Sequence, residues 1–123
     1  NGSDEFNIDH IVSTDNGKSW GEPEICAVNE GIRNPQIAII DDVFVAHGRS
    51  KDMTAFVLYT SLDGKNWSEA TRLRELPKSC GCYYSNNLVM NHNGKNRMLI
   101  QFSEGYDREW CVNVYHIWLT IEK

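Results

Sequence analysis

The chain has 123 residues and a formal net charge of −5, which is room for one domain with a genuine core and too little for two. Hydrophobic residues make up 41% and charged residues 24%, a globular rather than a disordered balance. The acidic balance lacks the basic stripe that phosphate backbones require, and no run of 18 apolar residues is present, so neither nucleic acid nor a membrane is expected as a partner.

The elements follow in chain order. An extended apolar run, Phe6 to Val12, leads into Ser13-Thr14-Asp15-Asn16-Gly17-Lys18-Ser19-Trp20, and a more polar run, Gly21 to Ala27, follows. Strand, tight turn, strand is the natural reading. Gln36 to Ile40 and Val43 to Arg49 form a hairpin across Asp41-Asp42, and Ala55 to Ser61 continues it. The turn Ser61-Leu62-Asp63-Gly64-Lys65-Asn66-Trp67 then leads into Trp67 to Leu73. Ser85 to Asn91 and Arg97 to Ser103 flank a Gly-containing turn at His92-Asn93-Gly94-Lys95-Asn96, and Val112 to Ile121 closes the chain. The tally is nine strands, in groups of two, four and three. No helical period competes, and Pro23, Pro35 and Pro77 fall at strand edges or in connections. Thirteen aromatic residues, four of them Trp, suit sheets packed face to face.

The two long turns repeat one pattern, with Ser13 and Ser61 standing 48 positions apart. Fixed-period similarity on this scale signals a repeat architecture. In each turn the Asp side chain can accept backbone N–H bonds, Gly takes a positive φ without steric cost, Ser adds a local hydroxyl, and Trp offers a large body for packing. Asn66-Trp67-Ser68 spells a glycosylation sequon, discounted because it lies inside the turn. The cysteines are Cys26, Cys80, Cys82 and Cys111. Cys80-Gly81-Cys82 is not a zinc spacing, which leaves free thiols or one disulfide, and no Cys has an evident base beside it.

The Ser-x-Asp-x-Gly-x-x-Trp turn resembles the Asp box of the sialidase superfamily, the bacterial neuraminidase repeat. Gly31-Ile32-Arg33-Asn34-Pro35-Gln36-Ile37 resembles the Arg-Ile-Pro segment that opens the first sialidase blade, and Val43 to Asp52 resembles the strand and loop after it. Tyr83-Tyr84-Ser85-Asn86-Asn87-Leu88-Val89 resembles the Tyr-Ser-x-Leu-Val segment of the last blade. The resemblance covers most of the chain and joins a first-blade pattern to a last-blade pattern with the middle blades missing.

That resemblance implies an all-β, sialidase-like β-propeller of four-stranded antiparallel blades, about two to the chain. The whole of 1–123 is then a single domain: a partial blade with an Asp box over 6–27, a complete blade with an Asp box over 33–73, and a last blade without one over 83–121. The Asp-box residues Ser13, Asp15, Gly17, Trp20, Ser61, Asp63, Gly64 and Trp67 become structural and lie on the rim away from the site. Two blades cannot close a ring, and open edges and faces invite association, so a homo-oligomer is expected, a trimer of two-blade chains reaching six.

Sialidases hold a sugar carboxylate with three arginines and use a tyrosine nucleophile with a glutamate partner and an aspartate acid/base; guanidinium pairs bidentately with carboxylate, and a neutral tyrosine avoids the repulsion that a carboxylate nucleophile would meet from the anionic substrate. Matched by position, Arg33 takes the place of the first arginine and Tyr84, or else Tyr83, that of the nucleophile. Asp52 falls near the acid/base, and Glu104 is the candidate partner of the tyrosine. The substrate-binding set is Arg33, Arg49 and Tyr83, and Tyr83, Tyr84, Tyr106 and Trp110 are candidates to stack on sugars. The second and third arginines have no clear counterpart; Arg72, Arg74, Arg97 and Arg108 do not fit the motif. His47 and His116 read as hydrogen-bonded strand residues. No metal or cofactor is implied. The expected function is glycan binding; hydrolysis at a site assembled from several chains, and a scaffold without a sugar ligand, are the alternatives. The family resemblance points to a secreted or periplasmic protein, while the chain shows no signal-peptide pattern and does not begin with Met.

Overall fold

The computed structural model describes residues 6–76, 82–105 and 112–122. They are all-β, with no helix, and form three antiparallel sheets. The first pairs β1 (Ile8–His10) with β2 (Glu24–Cys26). The second has the order β3 (Arg33–Ile40), β4 (Val43–Arg49), β5 (Ala55–Ser61), β6 (Thr71–Glu75). The third is β7 (Ser85–His92), β8 (Lys95–Gly105), β9 (Val112–Leu119). The grouping of two, four and three is the one read from the sequence. The described strands do not close into a barrel or a ring.

The strands of the first sheet are shorter than the runs that predict them, because only three residue pairs, Ile8 with Cys26 to His10 with Glu24, keep register before the turn takes over. β6 starts later than expected, at Thr71 rather than Trp67. After the turn, Ser68 anchors the segment instead: its N–H donates to the Thr60 carbonyl at 2.9 Å and its Oγ accepts from the Thr60 N–H at 3.0 Å. The hairpin β3–β4 turns at Asp41 and Asp42, both at positive φ (49° and 64°), as a two-residue turn matched to strand twist requires.

The second sheet is the middle layer, and β5 shows why. Its Ala55, Val57 and Tyr59 join Val28, Ile32 and Ala46 on one face, where Ile8, Trp67 and Ala70 pack. Its Phe56 and Leu58 join Val45, Met98, Ile100 and Phe102 on the other. The period of two sends alternate residues to two different cores, so a strand covered on both faces reads as an unbroken apolar run. The core between the second and third sheets is aromatic: Phe56 stacks on Phe102 at 4.4 Å between centroids, Phe102 on Tyr115 at 5.5 Å, and Phe56 lies 5.9 Å from both Tyr83 and His47.

Gly48 in β4 permits a close approach. A Cβ there would stand 2.7 Å from the Arg33 carbonyl oxygen and 2.9 Å from Ile32 Cγ1. The first of these is backbone and cannot swing aside, so Gly48→Ala is expected to cost about 1–3 kcal/mol, read as a urea midpoint lowered by ~1 M. An unchanged midpoint would show that the Arg33 segment yields freely.

Candidate functional site

The strand directions place every described residue of the expected site at one end of the stack. β3 begins at Arg33, β4 ends at Arg49, β5 begins at Ala55 and β6 ends at Glu75, in register with one another. In the third sheet, β7 begins after Tyr83 and Tyr84, and β8 ends just past Glu104. The two sheets share that end, because Arg49 Nη1 donates to the Cys82 carbonyl at 3.2 Å. At the far end Asn96 Nδ2 donates to Asp41 Oδ1 at 2.7 Å.

The repeated turns lie at that far end. Asp15 accepts from the Ser19 N–H at 2.8 Å and Asp63 from the Lys65 and Asn66 N–H groups, both at 2.8 Å. Ser13 and Ser61 donate to those same carboxylates at 2.9 and 3.0 Å, and accept from the N–H of Gly17 and Gly64 at 2.8 and 2.9 Å. Gly17 and Gly64 adopt φ of +84° and +77°. These bonds favour the ionised form: Asp15 falls to about 2, chiefly through Ser19, and Asp63 is lowered, chiefly through the Asn66 and Lys65 amides. Trp67 packs on the core over Val28 and Ala46, whereas Trp20 stays exposed, since the two short strands beside it offer no broad surface. The sequon asparagine Asn66 has its amide tied to Asp63 Oδ2 at 2.7 Å.

At the near end the expected residues divide into three groups. In the first, Tyr83 donates its hydroxyl to Glu104 Oε2 at 2.9 Å, and Arg74 closes a bidentate pair on the same carboxylate at 3.0 and 2.7 Å. Tyr83 and Glu104 are buried, and Arg74 is 45% exposed. Arg74 holds the Glu104 carboxyl below its ordinary range against the opposing effect of burial, and the Tyr83 hydroxyl bond adds to this. Burial, and then Glu104, push the Tyr83 phenol up. Tyr83 also sits at φ +68°, uncommon for a bulky residue and a mark of local strain. So it is Tyr83 that pairs with Glu104, with its proton aimed at a carboxylate but its ring enclosed. Arg74, which the motif does not include, completes the group; its only sequence signal is a cation on a strand end.

The second group surrounds Tyr84. Its ring is exposed beside a shallow hollow of about 200 Å³ lined by Ser85, Asn86, Gln101, Phe102, Ser103 and Val114. The guanidinium of buried Arg49 lies 5.7 Å from the ring centre. The third group is scattered. Arg33 stands opposite Arg49 in the β3–β4 register, yet its guanidinium turns to the Phe6 ring at 4.5 Å. Asp52 accepts from Ser50 Oγ, the Thr54 N–H and Thr54 Oγ1 at 2.7, 3.0 and 2.7 Å. Led by the Ser50 and Thr54 hydroxyls, these bonds lower it to about 2, so at neutral pH it accepts hydrogen bonds but has no proton to give. Arg72 joins Glu30 and Glu75 at 2.8 and 3.1 Å.

His47 is the residue the sequence undervalues. It is fully buried between the second and third sheets. Asn87 Nδ2 donates to its Nε2 at 3.0 Å, which leaves Nδ1–H to donate to Ser85 Oγ at 2.8 Å. It thereby ties β4 to the strand that starts one residue after Tyr84. Tyr106, Arg108, Trp110, Cys80 and Cys111 lie outside the described residues. Cys82 is disulfide-bonded and Cys26 is a free, buried thiol. Among the described residues, no three His, Cys, Asp or Glu side chains are grouped to hold a metal ion. Family models, curated proteins and solved structures, searched with this chain, return no match.

Proposed function

We propose that the chain supplies sialidase-like propeller blades that bind a glycan, with the hollow at Tyr84 as the sugar subsite. One observation carries the reading: an aromatic ring 58% exposed stands beside a hollow lined by Asn86, Gln101 and Ser103, whose register positions face outward. A pyranose has an apolar C–H face and a polar edge, and a ring with neighbouring amides and a hydroxyl answers both. Among the described residues no carboxylate lines the hollow, and the guanidinium of buried Arg49 supports the Tyr84 ring from 5.7 Å. Binding is favoured over hydrolysis because Tyr83 and Glu104 are enclosed in the core and Asp52 is held ionised.

The test is titration of the protein with sialyllactose and with lactose, followed by chemical shifts of the Asn86 and Gln101 side-chain amides. Tyr84→Ala is expected to weaken binding ~10-fold or more, about 1.4 kcal/mol, with no loss of thermal stability, because the ring faces solvent. Tyr84→Phe keeps the stacking surface and should stay close to wild type. If neither sugar shifts those amides at millimolar concentration, the glycan reading fails and the scaffold reading replaces it. Turnover of a fluorogenic sialoside that Tyr84→Phe abolishes would make the protein a hydrolase.

A further inference from the structure

The outer face of the third sheet carries a continuous apolar row. Leu88 pairs with Leu99, and Leu99 with Trp118, across all three strands. Leu88 is 57% and Trp118 55% exposed, and Met90 stands beside the row opposite Arg97. On the inner face of the same strands Met98, Ile100 and Phe102 are buried in the core, so the outward residues are not spare core positions. The outward positions of β7–β9 hold Lys95, Arg97, His92 and His116 but no Asp or Glu, and Lys95 is paired at 3.5 Å with Glu122 just past β9, which leaves Arg97 as the cation beside the row.

The opposite end of the stack has the complementary character. Ile8 of β1 turns inward to the core, so Asp9 and its register partner Ile25 face outward; Ile25 is 63% exposed. One outer face therefore sets the Arg97 cation beside an apolar row, and the other sets the Asp9 carboxylate beside Ile25. The middle sheet already shows how such faces are satisfied, since the third sheet covers one of its faces and Ile8 of the first sheet, with Val28, Ile32, Trp67 and Ala70, covers the other.

We propose that the outer face of the third sheet docks a second copy of this chain head to tail. The copy's first sheet packs Ile25 onto the Leu88–Leu99–Trp118 row and brings Asp9 to Arg97. Burying a Leu or Trp side chain at such a contact is favourable in proportion to the apolar area removed from water, and the opposite charges fix the orientation. A contact between two different faces builds rings or open chains rather than a twofold pair. Tyr84 and Val114 share this outward face at its near end. In that part the inference rests on the glycan reading: the docked sheet walls one side of the Tyr84 hollow, which a single copy leaves shallow.

The experiment uses two variants, each blocking one face: Leu88→Asp and Ile25→Lys. Both positions face solvent within one copy, and circular dichroism with a urea midpoint confirms that each variant folds. Light scattering of the unmodified chain from 1 to 200 μM is expected to show mass rising beyond one copy. Each variant alone should remain a single copy. Mixed in equal amounts, they should form a two-copy species, because one intact face of each kind survives. Asp9→Arg should weaken association ~10-fold, and Asp9→Arg combined with Arg97→Asp should restore it. A single-copy mass at 200 μM, or association that survives Ile25→Lys, overturns the proposal; the second result would mean that like faces meet. The readings separate cleanly, since sialyllactose shifts in a chain that stays single would retain the glycan site and discard the interface.

Discussion

Phe56→Ala is expected to cost about 3–5 kcal/mol. Phe56 is fully buried at the centre of an aromatic group that joins β4, β5 and β8 to the segment at Tyr83. Its removal takes the facing ring from Phe102, 4.4 Å away, and leaves a cavity on which Tyr83 and His47 also border. Collapse is resisted because β5 is an interior strand, paired on both sides, and cannot move toward the third sheet without breaking register with β4 and β6. Domains of this size are stable by about 5–15 kcal/mol, so the loss consumes roughly a fifth or more of the total. Differential scanning calorimetry should show the melting temperature lowered by ~10 °C or more. Phe56→Leu retains most of the volume and is expected to lose about 1–2 kcal/mol. A loss below 1 kcal/mol for the alanine variant would mean that the second and third sheets do not depend on each other.

The second large effect is acid loss of stability through His47. The ring is buried and desolvation lowers its pKa from 6.5 to about 4. The folded protein thus resists protonation that the unfolded chain accepts readily. A histidine depressed in the folded state gives its full benefit above pH 6.5; the benefit drains as pH falls from 6.5 toward 4 and is spent below that. The total is about 3 kcal/mol, with a slope approaching ~1.4 kcal/mol per pH unit inside the window. Geometry acts in the same direction, since a proton on Nε2 would face the Asn87 amide group that now donates to it. The lowered carboxylates act in a separate window. Asp15, Asp52 and Asp63 have depressed values in the folded state, so their contribution persists above their unfolded pKa near 3.8 and is lost only below it. Urea unfolding at pH 7.0, 5.5 and 4.5 samples the His47 window alone, and a further measurement at pH 3.0 samples that of the carboxylates. His47→Gln should flatten the dependence between pH 6.5 and 4.5. An unchanged slope in that variant would assign the acid sensitivity elsewhere.

Both effects converge on the strand that carries the candidate site. Tyr84 is followed directly by Ser85, which His47 holds from β4, and preceded by Tyr83, which Glu104 holds from β8 while Arg74 of β6 pairs with the same carboxylate. The exposed Tyr84 ring is thus flanked by two anchored neighbours. Rigid support of this kind positions a binding residue without enclosing it.

The sequence by itself determined the local structure. Period-two alternation, the Asp-Asp, Asn-Gly and Ser-x-Asp turns and the prolines at edges carry the nine strands and their grouping, because hairpins form between neighbours and their signals lie within a few residues. The turn hydrogen bonds of Asp15 and Asp63 were legible for the same reason: each is satisfied inside its own loop. That Arg33, Arg49, Asp52, Tyr83, Tyr84 and Glu104 share one end follows only from the strand pairing of the folded chain. The tertiary structure alone decided which of them meet. Tyr83 rather than Tyr84 reaches Glu104, because the residue that turns inward at a strand start depends on packing against the second sheet. Arg74 finds Glu104 across 30 positions of sequence, and His47 finds Ser85 across 38. Such pairings arise from how sheets stack, and no local periodicity encodes them.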